Sequence, residues 1–267
     1  MLEQSDIREF CHLGFRRFLP DPALAHRVEC YWSTGTLLVP SLESPETLYP
    51  DGGTSLLIDL DCPVQSARFV FNTQRSRWTF ASTTATVSVR FLPGALYRLF
   101  GFSPHEWDDQ AISAIDLLST TDYALLLPIL VKMHPENVVD SLELLEQFLL
   151  TQERAVASGT DRVRTVLATF SVTSNVEQMA EAASTSARTL ERQFRKEVGM
   201  RPSELLGYRR IKQARAQLSQ TRQSVTEVAL SCGFYDQAHF SKSFARFVGE
   251  TPSRYRQRKL SDIYKPK

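Results

Sequence analysis

"GFYDQAHFSKSFARFVGETPSRYR", residues 233–256, decides how the C-terminal part of this chain folds. Phe240, Phe244 and Phe247 recur at a spacing of four and then three, so they share one helix face that must be buried. Asp236, Gln237, His239 and Lys242 crowd the opening turns on the other side, which suggests contact with a partner. Gly249, Thr251 and Pro252 then stop the helix.

The same frame occurs once more upstream. "LERQFRKEVGMRPS" (190–203) and "FSKSFARFVGETPS" (240–253) both read apolar-x3-Phe-x4-Gly-x2-Pro-Ser, fifty residues apart. Before them, "NVEQMA" (175–180) matches "SVTEVA" (224–229) at a separation of forty-nine, so a turn must absorb a slip of one residue. Asn175 with Gln178, and Ser224 with Glu227, have the spacing of reciprocal N-terminal caps. Ala180 and Ala229 are small enough for two helices to cross closely. Gly233 can end a first helix in the left-handed conformation, and Ser184 holds the comparable place in the earlier unit. Each unit, about 175–199 and about 224–249, is therefore expected to be a helix-turn-helix. "SELLGYRRIKQARAQLS" (203–219) is expected to form one long helix between them, roughly 25 Å of rod. Such a rod can hold two reading helices about one duplex turn, roughly 34 Å, apart.

Charge divides the chain in the same place. Residues 161–267 carry 20 Lys and Arg against 10 Asp and Glu, whereas 1–160 carry 11 against 20, which leaves the whole at +1. A basic C-terminal third beside an acidic remainder suggests a polyanionic partner. At 267 residues, 42% apolar and 23% charged, the chain has room for two modest globular domains. No apolar run long enough for a membrane span and no apolar signal core are present, so a cytoplasmic protein is expected. Cys11, Cys30, Cys62 and Cys232 lie far apart in no metal-ligand spacing, and read as reduced thiols.

This layout resembles the AraC/XylS family of transcription regulators. The resemblance covers about residues 160–258 and rests on "GFYDQAHFSKSFARFVGETPSRYR" and "TLERQFRKEVGMRPSELL". Ser184 stands where the family usually has glycine, and Gln217 where its linker helix is usually apolar. The resemblance implies an all-α DNA-binding domain over 158–260, an activator or repressor of transcription, and double-stranded DNA and RNA polymerase as partners. With Leu190 and Phe194 turned inward, Arg188, Thr189 and Arg192 remain outward in the first unit. In the second, Gln237, His239, Ser241 and Lys242 remain outward, with Asp236 beside them either to cap the helix or to accept from cytosine N4. Arg can pair bidentately with guanine, Gln with adenine, and Lys meets guanine or phosphate.

The first hundred residues read differently. "TSLLIDL" (54–60), "ARFVF" (67–71) and "TVSVRFL" (86–92) alternate like strands, and helical segments follow Pro93. Within 138–149, Val138, Leu142, Leu145 and Leu149 form an apolar stripe that would fit either a dimer seam or packing inside the chain. "ASGTD" (157–161) is the expected linker. "FLPDPALAHRVECYW", "YPDGGTSLLIDL" and "VRFLPGALYRLFG" resemble the β-rich N-terminal domain attached to many AraC-type regulators. That resemblance implies, for 1–157, a cupin-like barrel with following helices that sense a small-molecule effector or pair two protomers. A protein-interaction module without ligand is the alternative. Trp32, Tyr49, Asp51, Trp78 and Arg90 could line a pocket, or be core aromatics and a turn aspartate before Gly52 and Gly53. His12, His26, His105 and His134 form no His-x-His pair, so neither a metal centre nor an enzyme is expected, and no cofactor is called for.

Overall fold

The computed structural model describes residues 2, 4–5, 14–35, 46–49, 51–72, 76–78, 85–104, 111–152 and 162–263. Alternating apolar residues build the N-terminal half into an antiparallel sheet. Its strands are β1 (Gln4–Ser5), β2 (Arg16–Phe18), β3 (Val28–Thr34), β5 (Thr54–Asp59), β6 (Arg68–Phe71), β8 (Thr86–Phe91) and β9 (Ala111–Ser113), in the order β1-β2-β3-β8-β5-β6-β9. Strands β4 (Glu46–Leu48) and β7 (Ser76–Trp78) form a separate two-stranded ribbon.

Alternation gives this sheet two apolar faces. On one, Tyr31, Leu56, Ile58, Phe69, Val87, Val89 and Phe91 meet helices. These helices are the short α1 (Pro63–Ser66), α2 (Ala95–Phe100), the short α3 (Ala114–Leu117), α4 (Thr120–Lys132) and α5 (Val138–Thr151). The other face carries Cys30, Trp32 and Leu57, with Phe15 and Val70 against them. Of the two roles open to the α5 stripe, the structure fills the second. Val138, Leu142, Leu145 and Leu149 are all buried in the core beneath the sheet, and Phe148 stacks on Phe100 at 6.2 Å. The stripe is therefore not a dimer seam, because the chain's own sheet already covers it.

From Arg162 to Ile263 every element is helical: α6 (Arg162–Thr169), α7 (Val176–Ala182), α8 (Ala187–Val198), α9 (Pro202–Gln220), α10 (Val225–Ser231), α11 (Gln237–Val248) and α12 (Pro252–Ile263). Two cores form here. Leu190, Phe194, Val198, Leu205 and Leu206 centre the first. Ile211, Ala214, Leu218, Phe240, Phe244 and Tyr255 centre the second. Helix α9 supplies side chains to both, its first half to one and its second half to the other. It runs 19 residues, about 28 Å, slightly beyond the 203–219 expected, because Pro202 takes the first helical position. The expected linker, 157–161, lies outside the described residues, as do Cys11 and His12. Among the described residues no helix is long and apolar enough to cross a membrane.

Candidate nucleic-acid interface

The two repeats fold into equivalent helix pairs through equivalent local bonds. Asn175 and Gln178 cap α7 reciprocally at 2.8 and 3.0 Å. Ser224 and Glu227 do the same for α10 at 3.1 and 2.6 Å. In the first turn the Ser184 amide donates to Glu181 O and the Thr185 amide to Ala180 O, both at 2.9 Å. In the second, Gly233 donates to Leu230 O and Phe234 to Ala229 O, both at 3.0 Å. Gly233 turns at φ 78°, and Ser184 at φ 48°, the one non-glycine with positive φ among the described residues. Serine thus carries the conformation for which glycine is the usual choice.

After these turns the repeats part by one residue. Ser186 follows Thr185 directly and caps α8, its Oγ accepting from the Thr189 amide at 3.2 Å. Between Phe234 and the cap Asp236 stands Tyr235, 89% exposed, and this residue absorbs the slip seen in the sequence. Asp236 caps α11 by accepting from the His239 amide at 2.7 Å. Both helices end at left-handed glycines, Gly199 and Gly249.

Burying Leu190, Phe194 and Val198 turns Arg188 and Arg192 of α8 to solvent, with Thr189 half-buried beside them. Burying Phe240, Phe244 and Val248 likewise exposes Gln237, His239 and Lys242 of α11, with Ser241 half-buried. The structure adds constraints that the sequence did not signal. Thr226 Oγ1 donates to Gln237 Oε1 at 2.5 Å, so the side chain at the head of α11 is held from α10. The His239 ring meets Phe234 edge-on at 5.6 Å. Gln217 accepts from Ser231 Oγ at 2.7 Å, which gives its polar end a partner where α9 meets α10.

The basic residues of α9 point elsewhere. Arg215 lies over the Tyr49 ring at 3.5 Å, Lys212 reaches Glu29 at 3.5 Å, and Arg209 covers Phe170 at 4.1 Å. Tyr49 and Glu29 belong to the N-terminal half, so α9 packs along it. Nearby, Arg98 of α2 pairs with Glu197 of α8 at 3.0 Å, and Ser103 Oγ donates to Lys196 O at 2.6 Å. Gly52 lies so close to this seam that a Cβ there would sit 2.9 Å from Met200 Cε and 3.1 Å from Leu205 Cδ1.

Three of the five candidate pocket residues gather at the same seam. Arg90 forms an ion pair with Asp51 and donates to Ser55 Oγ at 3.0 Å. Asp51 Oδ1 also accepts from the Gly53 amide at 3.0 Å and from Asn72 Nδ2 at 3.2 Å, and the same Asn72 nitrogen donates to Tyr49 O at 2.8 Å. Trp32 shares the sheet face of Arg90 but stacks on Phe15 at 5.7 Å. Trp78 lies in β7, and its side chain is outside the described residues.

A family profile described as a helix-turn-helix domain matches residues 179–258, which contain both turns and both exposed helices. A second, described as a domain of unknown function (DUF6597), matches residues 16–113. The transcriptional regulator MtrA of Neisseria gonorrhoeae is 37% identical over 83 residues, 31% of this chain and 28% of MtrA. The transcriptional activator RhaS of Escherichia fergusonii is 41% identical over 81 residues, 30% of this chain and 29% of RhaS. Among solved structures, a transcriptional regulator from Chromobacterium violaceum with an AraC-type DNA-binding domain is 26% identical. Its TM-score is 0.35, covering 37% of this chain and 92% of that one. The chain thus spans about three tenths of the length of the curated relatives it matches. Residues 179–258 form a helix-turn-helix domain of the AraC type, and its homologues are regulators of the AraC/XylS family.

Proposed function

We propose that the chain is a sequence-specific DNA-binding transcription regulator in which α8 and α11 are the reading helices of two helix-turn-helix units. The observation that carries this reading is the pair of capped helices. Each buries an apolar face, Leu190, Phe194 and Val198 on α8 and Phe240, Phe244 and Val248 on α11, and turns a polar N-terminal face to solvent, as a helix entering the major groove must. Arg188 and Arg192 are assigned to bases, with guanine O6 and N7 as the fitting acceptors, and Thr189 sits beside them. Gln237 and His239 read the second element, and Ser241 and Lys242 meet the phosphates that flank it. The N-terminal half is a cupin-like sensor. A cavity of about 410 Å³ between the halves, lined by Asp51, Glu29, Tyr208, Arg209 and Lys212, supports control by a small-molecule effector.

Selection of a duplex from a random pool, followed by titrations against its single-base variants, tests the assignment. Arg192→Ala is expected to cost about 1–3 kcal/mol on the selected site and to relax preference at one base position. Lys242→Ala is expected to weaken all duplexes by similar factors and to lower the salt slope by about one. Uniform weakening by Arg192→Ala would move that residue from base to phosphate.

A further inference from the structure

Two reading units joined by one helix could sit at a loose or a fixed separation. Helix α9 runs unbroken through Gly207, but a glycine in a helix interior weakens it by roughly 0.5–1 kcal/mol, so α9 alone is an imperfect ruler. Three residues further on, Arg210 bridges the two units across that helix. Its Nε donates to Val172 O at 2.6 Å and its Nη2 to Ser174 O at 3.0 Å, so the guanidinium fork closes on the loop that leads into α7. The same guanidinium lies 5.9 Å from the ring centroid of Phe234, in the turn between α10 and α11. Gly233 brings that turn against the same loop, where a Cβ would stand 2.5 Å from Val172 O. On α9 itself Tyr208 meets Phe247 of α11 edge-on at 5.2 Å, a second contact between units. One half-buried side chain therefore ties the entry loop of the first unit to the turn of the second.

We propose that Arg210 is a positioning residue for DNA recognition. By clamping loop 171–174 to turn 232–234 it fixes the separation of the two reading helices, and so the spacing between half-elements that the protein accepts. The inference rests on the two-helix DNA reading above. Its physical basis is effective concentration. A second module joined to a bound first one gains most when the join matches the span, and a stiff join gains at one span only. One inserted base pair shifts a half-element by about 3.4 Å and about 35° around the duplex, which a rigid pair cannot follow. A loosened pair would bind the matched site less well and the mismatched site relatively better. Lysine is no substitute, because a single ammonium lacks the planar fork that reaches both carbonyls.

The test uses the full chain and a duplex selected from a random pool, with one base pair inserted or removed between the two protected half-elements. Wild type is expected to lose about 30-fold in affinity per one-base change, and Arg210→Met less than about 5-fold, within the range usual for coupled sites. Arg210→Lys should behave like Arg210→Met. Gly233→Ala, which forces the loop and the turn apart from the other side, should flatten the spacing profile in the same way. Circular dichroism and thermal melting confirm that each variant is folded, and any one folded variant suffices. A spacing profile as sharp as wild type in the folded variants would overturn the clamp while leaving the DNA reading intact. Wild type that protects one half-element and ignores the insertion would overturn the DNA reading, and the clamp with it.

Discussion

Leu145→Glu is expected to unfold the N-terminal half rather than to separate two protomers. Leu145 is fully buried on α5, in the core that contains Leu142, Phe148 and Leu149. Removing a leucine side chain from such a place costs about 2–5 kcal/mol even when nothing polar replaces it. A carboxylate there adds desolvation, and the group would have to bind a proton or drag water into the core. The combined loss approaches the roughly 5–15 kcal/mol stability of an ordinary domain. Loss of near-ultraviolet circular dichroism and of the thermal transition is the expected result, and Leu145→Ala should show a milder shift of the same sign. A folded variant with an unchanged melting temperature and a smaller sedimenting mass would restore the dimer seam to this stripe.

The other large effect concerns Arg90→Leu. The side chains of Arg90 and Asp51 are 13% and 26% exposed, so removing the cation strands a largely buried carboxylate at a cost of about 3 kcal/mol. Burial by itself pushes the Asp51 carboxyl up. Arg90, the Gly53 amide and Lys212 outweigh it and hold the group below its ordinary value. A carboxyl depressed on folding contributes stability that is complete above its unfolded pKa of about 3.9 and fades as pH falls through the folded value. The melting-temperature gap between wild type and Arg90→Leu should therefore be widest near neutrality and narrow below about pH 4. A gap that does not change with pH would mean that packing of the arginine stem, not the charge pair, makes the difference.

These cases mark where the sequence could be read and where it could not. The helix pairs were legible because their determinants are local: Asn175, Ser224 and Asp236 cap within one turn, and Ser184 and Gly233 bend the chain where they stand. Even the one-residue slip was visible, although only the structure assigns it to Tyr235. The α5 stripe shows the limit. An apolar face announces that it will be covered, but not by what. The same holds for the basic residues of α9. Arg209, Lys212 and Arg215 swell the positive balance of the C-terminal third, yet they lie on Phe170, Glu29 and Tyr49. Formal charge therefore overstates how many cations are left for phosphate. Tyr49, Asp51 and Arg90 come together at the seam, whereas Trp32 stacks on Phe15, and a pocket wall and a domain seam demand the same residue types, which sequence alone cannot tell apart.

The fit of α2 against α8 bears on how the whole molecule comes apart. Helix α8 gives Leu190, Phe194 and Val198 to the first C-terminal core, while its Glu197 and Lys196 carbonyl are held from Arg98 and Ser103 across the seam. A helix that belongs to both halves cannot be lost by one and kept by the other. Chains with separate cores commonly melt in steps. This one should instead absorb heat in a single endotherm in the calorimeter, and cutting the Arg98–Glu197 link by Arg98→Ala should split that peak in two.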